Sequence, residues 1–293
     1  MNDRRQSLKS WAAGIRGSAV VRSGSTAGVI KGVGLVMAFL LQMLLARLVA
    51  DPAQYGAYAW GQSMLFLLGS LFALGIPLAT SRLVAIHASH GDHVSLAGVR
   101  RSGMRWLALS ALTGATLAAI LVVSLPASAF EELSRPIALV AAFASPLATF
   151  MLFHQAMARA QSHLVFAFLP TQVLRPLLAG LLAVAWFLWI QSRPGGIEIL
   201  LAVCASLALV LAIQMSVVYR HRPNAEGRAA PQTGSTAREQ RYGSERIMPV
   251  ALPIFATRLF DLLAQYGNVF ILGMLAGPLA AAGFFVAERL SRL

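Results

Sequence analysis

The feature that most limits what this chain can become is its succession of long apolar runs. A helix that crosses a bilayer needs about 20 mostly apolar residues. Seven stretches reach that length: residues 30–50, 57–81, 106–126, 136–158, 164–190, 199–219 and 249–275. An eighth begins near residue 279. Hydrocarbon offers no water to the backbone, so each run must satisfy its own N–H and C=O groups, and a helix does this within one segment. Hydrophobic residues make up 57% of the chain and charged residues 12%, against roughly 25% charged in soluble domains. The expected fold class is therefore all-α integral membrane, a multi-span helical bundle.

The charges that remain are unevenly placed. If the spans alternate in direction, one side collects Arg4, Arg5, Lys9, Arg16, Arg22 and Lys31 from the N-terminal tail. It also collects Arg82, Arg100, Arg101, Arg105 and Arg159, and six arginines from the polar loop 220–247. The other side holds only Arg47, Arg135 and Arg193. Lysine and arginine accumulate on the cytoplasmic side of membrane proteins, so the N-terminus is expected in the cytoplasm. The net charge of +13 is thus mostly a topology signal, and a nucleic-acid partner is not expected. The lone cysteine, Cys204, excludes an intrachain disulfide.

A short repeat divides the chain. "LVADPAQYGAYAWGQ" follows the first run, and "MLAGPLAAAGFFVAERL" follows the seventh. Ala50 and Pro52 align with Ala276 and Pro278; Gly56 and Tyr58 align with Gly283 and Phe285 after a one-residue gap. The spacing of six spans makes this a parallel repeat, as in some two-halved transporters. The expected division is a basic cytoplasmic tail at 1–29, a six-span lobe at 30–219, an inter-lobe loop at 220–247, and the start of a second lobe at 248–293. On this reading the chain is expected to be a fragment or a truncated product of a protein with at least twelve spans.

Residues fit for chemistry are few. "HASHGDH" brings His87, His90, Asp92 and His93 together at loose spacing, which reads as a solvated loop before it reads as a metal site. No phosphate-cradling glycine loop, nucleophile elbow or zinc spacing is present. The informative residues are charges inside the runs, because an arginine at the bilayer centre costs about 2.5–3.5 kcal/mol on insertion scales. Arg175 falls within the fifth run, between Pro170 and Pro176. Arg258 and Asp261 share a face of the seventh, and Glu288, Arg289 and Arg292 fall in the eighth. Lys31 and Arg47 stand near the ends of the first run, where long side chains can snorkel. Each also has a structural reading: an Arg258–Asp261 or Glu288–Arg292 ion pair, or a packing role for Arg175. Together, four arginines against two acids make the intramembrane charge positive, which suits an anionic ligand. The planar fork of arginine matches phosphate best.

At this point "LLQMLLARLVADPAQYGAYAWGQSML" and "LFALGIPLATSRLVA" resemble the first two spans of bacterial polysaccharide (O-antigen type) flippases. "RLFDLLAQYGNVFILGMLAGPLAAAGFFVAERLSRL" resembles their seventh and eighth. The resemblance, to a branch of the multidrug/oligosaccharidyl-lipid/polysaccharide exporter superfamily, covers about residues 25–293. It implies two six-helix lobes around a cationic cavity in the cytoplasmic (inner) membrane. It further implies translocation of an undecaprenyl-diphosphate-linked oligosaccharide by alternating access, for lipopolysaccharide or other surface polysaccharide synthesis. The implied partners are that lipid-linked diphosphate, membrane lipids and the polysaccharide polymerase machinery. No cofactor or metal is expected; a coupling ion, H⁺ or Na⁺, is left open. Two other readings remain: a drug or small-solute antiporter of the same fold, and a membrane enzyme acting on lipid-linked sugars. Drug cations would favour acidic cavity residues, and an enzyme would need a larger outer loop than any present, so the expectation is a carrier and not an enzyme.

Overall fold

The computed structural model describes residues 19–49, 51–89, 93–126, 130, 134–161, 163–190, 193–220 and 247–291. Every regular element among them is helical. In chain order these are α1 (Ala19–Leu48), α2 (Pro52–Phe72), α3 (Ile76–Ser89), α4 (His93–Ser124), α5 (Arg135–Ala160) and α6 (Leu164–Leu169). A π-helical stretch (Pro170–Leu174) follows, then α7 (Arg175–Ile190), α8 (Gly196–Arg220) and α9 (Ile247–Leu262). A second π-helical stretch (Leu263–Gly267) leads into α10 (Asn268–Ser291). Six helices are long and apolar enough to cross a membrane, and seven if α2 and α3, bent by 48°, count as one broken span.

The last of these candidates runs from Ile247 to Glu288, and α10 is not one rod. Gly277 has φ 81° and ψ 176°, a conformation open to glycine almost alone, and Pro278 follows it. The chain doubles back there: Gln265 and Glu288 line one small pocket, whereas a continuous helix would set them about 34 Å apart. Residues 278–291 thus form a separate helical arm that returns alongside the second π-helical stretch. The first helix also differs from expectation. It starts by Ala19, well before residue 30, so residues 19–29 belong to α1 and not to the tail. Ala27 and Ile30 explain why, because they pack against Ala158, Ala167 and Phe168. The tail before residue 19, most of the inter-lobe loop, and His90 and Asp92 lie outside the described residues.

The sequence dictates each break. Pro52 sits at the first turn of α2, where its missing N–H costs nothing, and Asp51 caps the helix by accepting from the Ala53 N–H at 3.0 Å. At the α2–α3 bend Leu74 and Gly75 both have positive φ, 47° and 70°. The Phe72 carbonyl near this break accepts from the Ser110 hydroxyl at 2.6 Å.

Inside a bilayer, lipid is as apolar as leucine, so helices associate through close packing and small residues. Helix α2 is the hub, touching α4, α5, α8 and α10. Against α5, a Cβ on Gly69 would stand 2.7 Å from the Ala148 Cβ, and Thr149 donates its hydroxyl to the Gly69 carbonyl at 2.8 Å. Against α10, the Trp60 ring stacks on Phe270 at 5.7 Å, and its indole N–H donates to the Phe270 carbonyl at 3.2 Å. One core gathers Tyr58, Trp60, Leu65, Ile137, Leu200 and Phe285. A second, around Ile76, Leu107, Phe153 and Ile247, fills the other end of the bundle.

Candidate functional site

Between these packed regions lies a cleft of about 700 Å³. Four elements bring a cation to its wall. Lys31 comes from the first half of α1, Arg159 from the last turn of α5, Arg175 from the start of α7 and Arg258 from α9. Among the described residues that line it there is no carboxylate. Neutral polar groups complete the wall, chiefly Gln155, Thr171, Gln172, Gln265 and Tyr266.

The two π-helical stretches build this wall. Proline at 170 and 176 removes two helix N–H donors, and the chain answers with a wider turn, in which the Arg175 N–H reaches the Pro170 carbonyl. Such bulges occur frequently at functional sites. Thr171, in the bulge, accepts from the Gln155 side chain at 3.3 Å. The bulge also lets α1 approach closely, since a Cβ on Gly34 would meet the Gln172 Cβ at 2.6 Å. The second stretch carries Gln265 and Tyr266 to the opposite wall.

Aromatic rings hold two of the cations. The Arg175 guanidinium lies 4.9 Å from the centroid of Phe66, and the Lys31 ammonium lies 4.9 Å from that of Phe168. A cation over a ring face gains about 0.5–2 kcal/mol. Phe66 in turn stacks on Tyr266 at 5.9 Å, which joins Arg175 to the far wall.

The structure therefore brings Lys31, Arg175 and Arg258 together. Lys31 sits within α1 and not near its end, because α1 starts early. Asp261 stands 3.7 Å from Arg258, with both side chains mostly exposed, so the pair contributes little stability and leaves Arg258 on the cavity wall. Glu288 lies beyond the cavity, in the small pocket it shares with Gln62 and Gln265. Arg47 does not line this cleft: it is exposed in the last turn of α1, where a cation faces the negative end of the helix dipole. The side chain of Arg289, and Arg292 altogether, lie outside the described residues. Sequence reasoning missed Arg159 by counting it as a turn charge. Its signal was present, because Met151, Gln155 and Arg159 repeat every four residues and so share a helical face.

A family model described as "Polysaccharide biosynthesis protein" matches residues 20–293. No curated protein matches the chain. Among solved structures, an inward-facing multidrug resistance transporter of the MATE family, in the MOP superfamily, resembles it with a TM-score of 0.63. The two are 15% identical over 91% of this chain and 61% of that one. A second solved chain, described as "protein A", gives a TM-score of 0.56 at 15% identity over 94% of this chain and 62% of its own. Identities this low show a shared fold, that of a multi-pass membrane transporter, and the chain spans about three fifths of the length of either. The family match covers nearly the whole sequence, and so the chain belongs to the polysaccharide biosynthesis protein family.

Proposed function

We propose that this chain carries the cation-lined half of a flippase that moves a polyprenyl-diphosphate-linked oligosaccharide across the cytoplasmic membrane. The observation that carries this reading is the convergence of Lys31, Arg159, Arg175 and Arg258 on one cleft with no carboxylate among its described lining residues. Asp261 stands beside Arg258 and offsets one of these four charges, and the remaining excess of positive charge favours an anion in the cleft. A diphosphate head group supplies that anion, and arginine binds it through paired donors. The apolar wall residues Leu35, Ala38, Leu78 and Phe255 suit the adjoining prenyl chain. A drug-cation antiporter would meet repulsion at every one of these charges.

The mechanism that follows is electrostatic capture and release. The head group enters between α1, α5 and α9 and displaces water from the guanidinium groups. It then leaves when the cleft opens on the other side and water competes again. The test is equilibrium binding of radiolabelled undecaprenyl diphosphate to the purified chain in detergent, with undecaprenol as competitor. Arg175→Ala should weaken binding about ten- to hundredfold, since a hydrogen bond to a charged group is worth about 1.5–3 kcal/mol. If undecaprenol competes as well as the diphosphate, the cations do not select the ligand and the reading fails.

A further inference from the structure

Two pairs of stacked rings run along the seam between α2 and the segment that follows α9. Trp60 stacks on Phe270 with centroids 5.7 Å and planes 13° apart. Further along α2, Phe66 stacks on Tyr266 at 5.9 Å and 23°. The two sides of this ladder run antiparallel, since the numbering rises along α2 while it falls along its neighbour. Packing at the seam is close: a Cβ on Gly273 would clash with the Trp60 ring, and one on Gly56 would clash with the Pro278 carbonyl. The Trp60 indole N–H also donates across it to the Phe270 carbonyl at 3.2 Å. The two rungs differ in their surroundings. Trp60 is not among the described residues that line the cleft, whereas Phe66 and Tyr266 both are. The buried Phe66 ring also has the Arg175 guanidinium 4.9 Å from its centroid.

From this we infer that Phe66 is a positioning residue for Arg175, and that its stack on Tyr266 makes the hold of Arg175 on an anion depend on a closed α2 seam. A cation is attracted to the face of a ring and not to its edge. Tyr266 fixes the plane of Phe66, and so keeps that face turned to the guanidinium. Helices in lipid are held together by close packing and not by the hydrophobic effect, so a seam of this kind can part. When it parts, Tyr266 leaves, the Phe66 ring is free to turn, and Arg175 loses the surface it rests on. In the carrier proposed above, parting of this seam is the movement that opens the cleft on the other side, so opening and release of the head group become one event. The inference rests on the flippase reading for its ligand; the contact between Phe66 and Arg175 does not.

The experiment is a double-mutant cycle read by equilibrium binding of radiolabelled undecaprenyl diphosphate to the purified full chain in detergent. Phe66→Leu should weaken binding about two- to thirtyfold, the change that corresponds to loss of a cation–ring contact. Phe66→Tyr, which keeps the ring, should bind like the unmodified chain. In an Arg175→Ala background Phe66→Leu should have no further effect; an undiminished effect there makes Phe66 a plain apolar wall and overturns the proposal. Trp60→Phe keeps a ring and removes the hydrogen bond to Phe270. It should weaken binding several-fold from outside the cleft, and not at all once residue 66 is leucine; unchanged binding in Trp60→Phe overturns the dependence on the seam. If Phe66→Leu does not fold, Tyr266→Leu, at a partly buried position, takes its place in the cycle with the same expectation. The same cycle read by Tm without ligand keeps the two readings apart. Coupling between residues 66 and 175 in a chain that does not bind the diphosphate removes the flippase and leaves the positioning contact. Diphosphate binding without coupling removes the positioning role alone.

Discussion

Gly56 and Gly283 occupy matching places in the internal repeat, yet their surroundings are opposite. A Cβ on Gly56 would stand 1.8 Å from the Pro278 carbonyl oxygen, whereas nothing lies within 4 Å of a Cβ on Gly283. Gly56→Ala should therefore force α2 and α10 apart, at a cost of about 1–3 kcal/mol. Gly283→Ala should be neutral or stabilise by up to about 1 kcal/mol, because glycine loses more backbone freedom on entering a helix than alanine does. Thermal unfolding in detergent checks both; an equal Tm for Gly56→Ala and the unmodified chain would mean that the two helices do not meet at Gly56. The sequence pairs these two stretches by alignment, but the contact of Gly56 with Pro278 was not legible there, because alignment pairs residues without saying which of them touch. The cavity cations divide in the same way. Arg175 stood out because a charge deep in an apolar run has few explanations. Arg159 did not, because a charge at the end of a run has many.

Whole helices were legible from hydropathy, and their breaks only where proline announced them. The pair Pro170 and Pro176 marks the first π-helical stretch. The second, Leu263–Gly267, contains no proline, so nothing local signals it and tertiary packing decides. The start of α1 was misjudged for the same reason: Gly24, Ser25 and Gly28 read as a polar tail until Ala27 and Ile30 find Phe168. The first stretch offers a test of what a broken helix contributes. Pro176 has no N–H to give to the Gln172 carbonyl, four residues back. Pro176→Ala restores that donor, and proline in a helix interior costs about 3 kcal/mol, so the variant should unfold at a higher temperature. A regular turn would draw Thr171 and Gln172 from the cavity wall, so undecaprenyl diphosphate binding should weaken several-fold. A variant that is stabilised and binds normally would show that the bulge does not shape the site.

At the scale of the whole molecule, the large cleft lies nearer one end of the described helices than the other. Lys31, Leu78 and Arg159 place the cleft towards the end where α3 finishes and α5 ends. At the opposite end the Tyr55 hydroxyl donates to Gln42 at 3.0 Å, the Gly196 N–H donates to Gln54 at 3.1 Å, and Trp60 fills the space beside Phe270. On the positive-inside rule we propose that the end towards which the cleft lies, with its many arginines, faces the cytoplasm, where a lipid-linked sugar would be made available for capture. Orientation and function are therefore one argument: a cleft open to the other face would meet its cargo only after transport. Two positions decide it. Asp51 is exposed between α1 and α2, and Ala88 is exposed near the end of α3. With Cys204 replaced by alanine, Asp51→Cys should react with a membrane-impermeant maleimide in spheroplasts, and Ala88→Cys only after the membrane is permeabilised. The inverse pattern would turn the cleft outward, and capture of a cytoplasmic lipid-linked precursor would then have to be abandoned even if the cavity binds diphosphate as proposed.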